Sequence, residues 1–233
     1  MSEPLPVVLI PGLLASARLY AAQIPYLWRA GSVMIADHTR DDSMSGIARR
    51  ILSVAPARFA LVGLSMGGYI AFEILRQAAE RIAQVALLDT SARADAPEQT
   101  TMRRAQMALA SQGRLAEVVE QQLPRLVHRE HRADPALRQV FTLMAEDVGA
   151  AAFIRQQTAV LGRSDSRATL GSIRCPTLVL VGEEDELTPP ERAAEIAAGI
   201  PGARLITVSQ CGHMSTLEQP DEVTRALLEW LGH

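Results

Sequence analysis

Ser65 sits in "GLSMGG" (residues 63–68), with Gly63 and Gly67 two positions to either side. A serine hydroxyl is a poor nucleophile near neutral pH. It attacks a carbonyl only when an imidazole takes its proton and a carboxylate fixes the imidazole's tautomer and stabilises the imidazolium. It must also be lifted clear of the backbone on a sharp turn, whose strained, usually left-handed conformation admits only small neighbours two residues away. Gly63 and Gly67 meet that requirement, and Gly68 extends the room. Phosphate binding, the competing use of a glycine-rich turn, needs G-x-G-x-x-G or a G-K-[ST] ending, and neither is present.

The chain has five histidines from which a base could come. His213, in "SQCGHMSTLEQP", follows the last apolar run and adjoins Gly212, which allows close approach, so it is the expected base. His38, in "ADHTRDD", reads as a loop residue near the mouth of the site, and His128 and His131, in the arginine-rich "RLVHREHRAD", as a solvated face. His233 reads as a frayed terminus. For the acid, "VGEEDELTPP" offers Glu183, Glu184, Asp185 and Glu186. Asp185 is favoured, one strand from His213 and three residues ahead of a helix start. Asp89, after "VALL", is the fallback, and the glutamates stay open.

The intervening elements must bring these residues together. Apolar runs recur at "PVVLI" (6–10), "SVMIAD" (32–37), "FALVGL" (59–64), "VALLD" (85–89), "TLVLVG" (177–182) and "ARLITV" (203–208), and without alternation they read as strands buried on both faces. After "FALVGL", Ile70, Ala71, Ile74 and Leu75 recur at helix spacing, so Ser65 stands at a strand-to-helix junction. In "TPPE", Thr188 reads as a cap, two prolines suit a first turn and Glu191 reaches back. Val223, Ala226, Leu227, Trp230 and Leu231 form one stripe of a last helix. The expected fold class is α/β, a mainly parallel sheet of about six strands flanked by helices, with ligands bound outside the carboxyl ends of the strands. The alternation lapses over 92–165, where Leu115, Val118, Val119 and Leu123 mark a helix; this stretch is expected to be an inserted helical cap on a core of 1–91 and 166–233.

With 233 residues, 48% of them hydrophobic, and a net charge of -3, the chain suits one sizeable domain and offers nothing to recruit nucleic acid. All 23 basic residues are arginine, which excludes lysine Schiff-base chemistry and pyridoxal-type attachment. "MSEPLPVVLIPG" reads as neither signal peptide nor membrane span, and a cytoplasmic setting is the expectation. Cys175 and Cys211 form no CxxC; at the opposite ends of neighbouring parallel strands they would lie roughly 15–20 Å apart, too far for a disulfide.

The order Ser65, Asp185, His213, and the motifs around them, resemble the α/β-hydrolase superfamily over nearly the whole chain. "GLSMGG" resembles its nucleophile elbow, "VGEEDELTPP" its acid turn, "CGHMSTLEQP" its histidine loop and "LIPGLLAS" its first oxyanion loop. The resemblance implies that the amides of Leu13 and Met66 form an oxyanion hole. Pro11-Gly12 stands where many members have His-Gly; the donor being the next backbone amide, the hole is expected to survive with a changed outer wall. By the same resemblance the first strand is expected to correspond to the family's third, without the usual leading hairpin. Gly12, Leu14, Phe141 and Met144 are expected to contact substrate, with Met107 and Phe153 as further apolar candidates. The implied activity is hydrolysis of small or medium apolar carboxylic esters through an acyl-enzyme, with no metal or organic cofactor. A carbon-carbon or enol-lactone hydrolase is the enzyme alternative, and a hydrolase-like ligand receptor the other.

Overall fold

Each of the six apolar runs becomes a strand of a single sheet. A computed structural model describes residues 5–232, so His233 lies outside the described residues. The strands are β1 (Val7–Ile10), β2 (Val33–Ile35), β3 (Phe59–Leu64), β4 (Ile82–Leu88), β5 (Thr177–Gly182) and β6 (Arg204–Val208). All pair in parallel, in the order β2-β1-β3-β4-β5-β6. The helices among the described residues are α1 (Ile24–Ala30), α2 (Met44–Val54), α3 (Met66–Ala78), α4 (Pro97–Ser111), α5 (Leu115–Leu126), α6 (Pro135–Leu161), α7 (Pro190–Gly199), α8 (Ser215–Glu218) and α9 (Pro220–Leu231).

Side chains of a strand alternate between faces, so a sheet covered on both sides feeds two cores. Val8, Ile10, Leu61, Leu87 and Val179 pack with residues of α2, α3 and α7, and Val7, Leu9, Val62, Leu88 and Leu180 with residues of α1 and α9. Burial on both faces is complete along β1, β3 and β5, whereas β2 is half-buried and Arg204 and Leu205 of β6 are exposed, because these two strands form the sheet's edges. Val223, Ala226 and Leu227 are buried as the stripe of α9 requires. Cys175 and Cys211 are free thiols. No helix among the described residues is long and apolar enough to cross a membrane.

From β1 the chain crosses to β2 on one side and then returns past β1 to β3, so the order reverses between β1 and β3. A crevice opens at such a switch point beyond the carboxyl ends of the strands. Between β4 and β5 the chain leaves the sheet for α4, α5 and α6, the last broken at Gly149, whose φ of 75° interrupts the helix. Ser16 and Arg18, just after β1, both donate to Asp147 (2.7 and 2.8 Å), tying these helices to that crevice.

Two glycines set how closely β3, β1 and α3 approach. A Cβ on Gly63 would lie 2.3 Å from the Gly67 carbonyl oxygen, and one on Gly67 would lie 2.1 Å from that of Ile10. Since both obstacles are backbone, relief requires moving an element. Gly67→Ala is expected to lower stability by about 3 kcal/mol, at the upper end of overpacking costs, read as a reduced urea midpoint at unchanged slope.

Candidate active site

β3 ends at Leu64, α3 begins at Met66, and Ser65 between them has φ 55° and ψ -114°. A non-glycine residue pays for this conformation and keeps it only where neighbours over-determine it. Here the Ser65 amide donates to the Leu88 carbonyl (2.9 Å), and its own carbonyl accepts from the Thr90 hydroxyl (2.7 Å) and the Gly68 amide (2.9 Å). The hydroxyl is thereby presented to a cleft of about 290 Å³ at the carboxyl ends of β1 and β3.

His213 follows β6, and its amide donates to the Leu126 carbonyl at the end of α5 (3.0 Å). The ring bridges two groups, with Nε2 2.8 Å from Ser65 Oγ and Nδ1 2.7 Å from Asp185 Oδ2. The tautomer that satisfies both donates from Nδ1 to the carboxylate and accepts the serine proton at Nε2. Asp185 Oδ1 accepts from the amides of Leu187 (2.8 Å) and Thr188 (2.9 Å), and Oδ2 also from the Thr188 hydroxyl (2.7 Å). Thr188 therefore holds the acid instead of capping a helix as expected. α7 begins at Pro190 with no side-chain cap, because the hydroxyl is already engaged.

Burial alone would push the His213 ring down, but the charge of Asp185 and the hydrogen bond to it outweigh burial and hold the ring above its ordinary value. Burial likewise opposes ionisation of Asp185, and attraction to His213 overcomes it and holds the carboxyl low. Asp89 behaves differently. Burial, then repulsion by Asp185, pushes its carboxyl up to about 8. Its oxygens are occupied by the Gly182 amide (3.0 Å) and the Ser215 hydroxyl (2.5 Å), so the fallback acid is not brought to the imidazole.

Leu13 and Met66 both line the cleft, Leu13 in the turn after β1 and Met66 as the first residue of α3. The Gly12 carbonyl accepts from the Ala15 amide (3.2 Å) and from His38 Nε2 (2.9 Å). Because a peptide unit is planar, this also fixes the direction of the Leu13 N–H. His38 is buried, which pushes its ring down and keeps it neutral. The Leu14 amide donates to Gln156 Oε1 of α6 (3.0 Å), which holds Leu14 at φ 56°.

Gly12, Leu14, Phe141 and Met144 all line the cleft. Met107 does not, and Phe153 is wholly buried against Ala110 and Val118. The expected solvated face at His128 and His131 is corrected. His128 is buried and its amide donates to Glu218 Oε2 (2.6 Å), while His131 Nδ1 lies 2.9 Å from the same oxygen. Glu218 Oε1 accepts from the amides of Gly212 (3.0 Å) and Met214 (3.2 Å), so one buried carboxylate clamps both sides of His213. Sequence reasoning missed Glu218, which lies within the "CGHMSTLEQP" motif but five residues past His213, as well as Gln156 and the anchoring role of His38. No cluster of three or more His, Cys, Asp or Glu side chains suited to a metal ion occurs among the described residues.

A family model described as "Alpha/beta hydrolase family" matches residues 7–226. A solved structure of a thermophilic esterase from Thermogutta terrifontis is 30% identical, covers 97% of this chain and 89% of its own, and superposes with a TM-score of 0.88. The enol-lactonase from Burkholderia xenovorans LB400 is similar in fold, with a TM-score of 0.87 at 22% identity, over 100% of this chain and 93% of its own. A pimeloyl-[acyl-carrier protein] methyl ester esterase of Nitrosomonas europaea is 27% identical over 78% of this chain and 74% of its own.

Glu218 has a measurable consequence. Glu218→Ala would leave the buried amides of His128, Gly212 and Met214 without their acceptor, at about 1–3 kcal/mol for each unsatisfied group. The expected result is a fall in stability of several kcal/mol by chemical denaturation, with a smaller fall for Glu218→Gln, which keeps one acceptor oxygen.

Proposed function

This chain belongs to the alpha/beta hydrolase family, and we propose that it is a serine hydrolase that cleaves carboxylic esters with Ser65 as nucleophile, His213 as base and Asp185 as the group that orients it. The observation that carries this reading is the unbroken relay from Ser65 Oγ to His213 Nε2 (2.8 Å) and from Nδ1 to Asp185 Oδ2 (2.7 Å). The esterase named at 30% identity and the methyl ester esterase at 27% support an ester as the substrate class.

In the first step Ser65 Oγ bonds to the ester carbonyl carbon as its proton passes to His213 Nε2. The developing oxyanion is received by the amides of Leu13 and Met66, and loss of one such donor costs about 3–4 kcal/mol in related chemistry. The carbon–oxygen bond to the alcohol then breaks, and His213 returns the proton to the leaving oxygen. Water, deprotonated by the same ring, attacks the acyl-enzyme and releases the acid with Ser65 restored. Residues 92–165 act as a cap that shields these steps from bulk water, with Leu14, Phe141 and Met144 offering apolar surface to the acyl or alcohol part.

Two measurements test this. Ser65→Ala should reduce hydrolysis of 4-nitrophenyl butyrate by at least about 10³-fold and abolish the mass increase that a fluorophosphonate gives the native chain. Unchanged turnover in that variant would remove the assignment. The second measurement is the pH profile. The base works only as neutral imidazole, and Asp185 holds its pKa above the ordinary value near 6.5. kcat/KM should therefore fall as pH drops through a midpoint above about 6.5. Asp185→Asn removes the two largest effects that oppose burial and leaves only the weaker attraction of Asp89 and Glu218, so that midpoint should move to lower pH while the plateau falls by roughly 10³-fold or more.

A further inference from the structure

Resting on the ester-hydrolase reading, we propose that the preferred substrate carries a carboxylate, bound by Arg103 in the wall of the cleft and by Arg125 at its rim. Asp95 receives Arg103 Nε at 2.7 Å and Arg163 Nη1 at 2.7 Å, and the three side chains are only 4%, 12% and 6% exposed respectively. Two guanidinium groups on one carboxylate leave a positive charge in excess. The remaining contacts of Arg103 and Arg163 supply no second anion. Arg103 Nη1 donates to Gln157 Oε1 (3.0 Å), Arg163 donates to the carbonyls of Arg93 and Val160 (3.2 Å each), and its guanidinium stacks 4.3 Å above the ring of Tyr69.

A buried charge without a partner is strongly disfavoured unless something else supplies the counter-charge. Arg103 borders the same cleft as Ser65 and His213, and the lining contains no aspartate or glutamate. Arg125, on α5 and solvent-exposed, borders that cleft too and enters no ion pair among the described residues; its Nη1 contacts only the sulfur of Met102 (3.5 Å). Gln106 continues the polar wall, its Oε1 accepting from Gln157 Nε2 at 2.8 Å. Arg103 Nε (2.7 Å) and Nη2 (3.4 Å) already hold Asp95, so it is the outer Nη1–Nη2 edge of Arg103, together with Arg125, that can pair N–H groups with the two oxygens of a substrate carboxylate. The excess of one charge at the Asp95 cluster matches a monoanionic carboxylate better than a dianionic phosphate monoester. The same cleft also offers Phe141 and Met144, so an ester with an apolar chain and one ionised end satisfies both kinds of surface.

The test compares kcat/KM for mono-4-nitrophenyl glutarate with that for its neutral methyl ester, both followed by nitrophenol release. The expected preference for the acid is about tenfold or more, the size of one charge-assisted hydrogen bond. The ratio should collapse towards one in Arg103→Gln, be partly kept in Arg103→Lys, and fall in Arg125→Gln. Arg103→Gln also removes a partner of Asp95 and the donor to Gln157 Oε1, so its thermal midpoint is measured alongside; if it drops, the decision passes to the exposed Arg125→Gln. Calorimetry on Ser65→Ala gives a readout independent of turnover. Monomethyl glutarate should bind at least about tenfold more tightly than dimethyl glutarate, a difference lost when Arg103→Gln is added. Persistent turnover in Ser65→Ala would sink the ester-hydrolase reading and leave this binding difference to decide the carboxylate proposal. Equal binding of the two glutarates, or an unaltered acid preference in both arginine variants, overturns it.

Discussion

An imidazole and a carboxylate removed from water together are tolerable only as a pair, and the contact between His213 Nδ1 and Asp185 Oδ2 is the one on which the site depends. Each residue is only 2% exposed. Burial drives both towards their neutral forms, and their mutual attraction reverses that for both. The carboxylate's remaining capacity is met by Leu187 and Thr188, so its charged form is fully hydrogen-bonded. Asp89 shows the contrary outcome nearby. Held by one amide and one hydroxyl, its carboxyl is pushed up to about 8 by burial and by the repulsion of Asp185, which outweigh the attraction of His213. Two buried aspartates at one sheet edge are thus separated in character by what each of them touches.

That pair is useful only if His213 also reaches Ser65, and here the helices between β4 and β5 matter as much as the sheet. The end of α5 accepts the His213 amide, and the turn after it contributes His128 and His131 to the Glu218 clamp. On the other side of the cleft, Gln156 of α6 holds the Leu14 amide, while His38 holds the Gly12 carbonyl. The loops flanking Ser65 are therefore fastened to the helices between β4 and β5, and a disturbance of those helices reaches both His213 and the proposed oxyanion donors. Positive φ at Leu14, Ser65 and Asp89 marks the points where this fastening forces the backbone out of its comfortable range.

The strands were legible because a sheet covered on both faces requires uninterrupted apolar runs, and β3 and β5 fall on "FALVGL" and "TLVLVG" to the residue. Ser65, Asp185 and His213 were legible because strand ends are where an α/β sheet collects reactive groups. Failures came where one side chain had two possible partners. Thr188 has the sequence context of a cap but meets a carboxylate three residues earlier. His128 and His131 lie among arginines that suggest solvent, yet Glu218, some ninety residues on, draws them in. Local pattern carries no record of such distant acceptors. Buried N–H groups must find partners, but which acceptor serves which donor is decided by tertiary packing.

Charge shows the same gap between composition and place. The chain as a whole is negative by three, which argues for an acidic surface and no affinity for anions. A dissolved ion, however, responds to charges within about one Debye length, roughly 8 Å at physiological salt. Within the cleft the lining cations are Arg103 and Arg125, with no carboxylate among the lining residues to offset them. Many of the acidic groups sit in exposed pairs such as Arg18–Asp147, Arg114–Glu117 and Arg204–Glu229, where each is already countered and screened. At this wall Asp95 offsets only one of Arg103 and Arg163, so with Arg125 an excess of positive charge remains where composition suggests the opposite. Because every basic residue is an arginine, that excess comes from planar forks and not from point charges, which selects for the geometry of a carboxylate as well as for its sign.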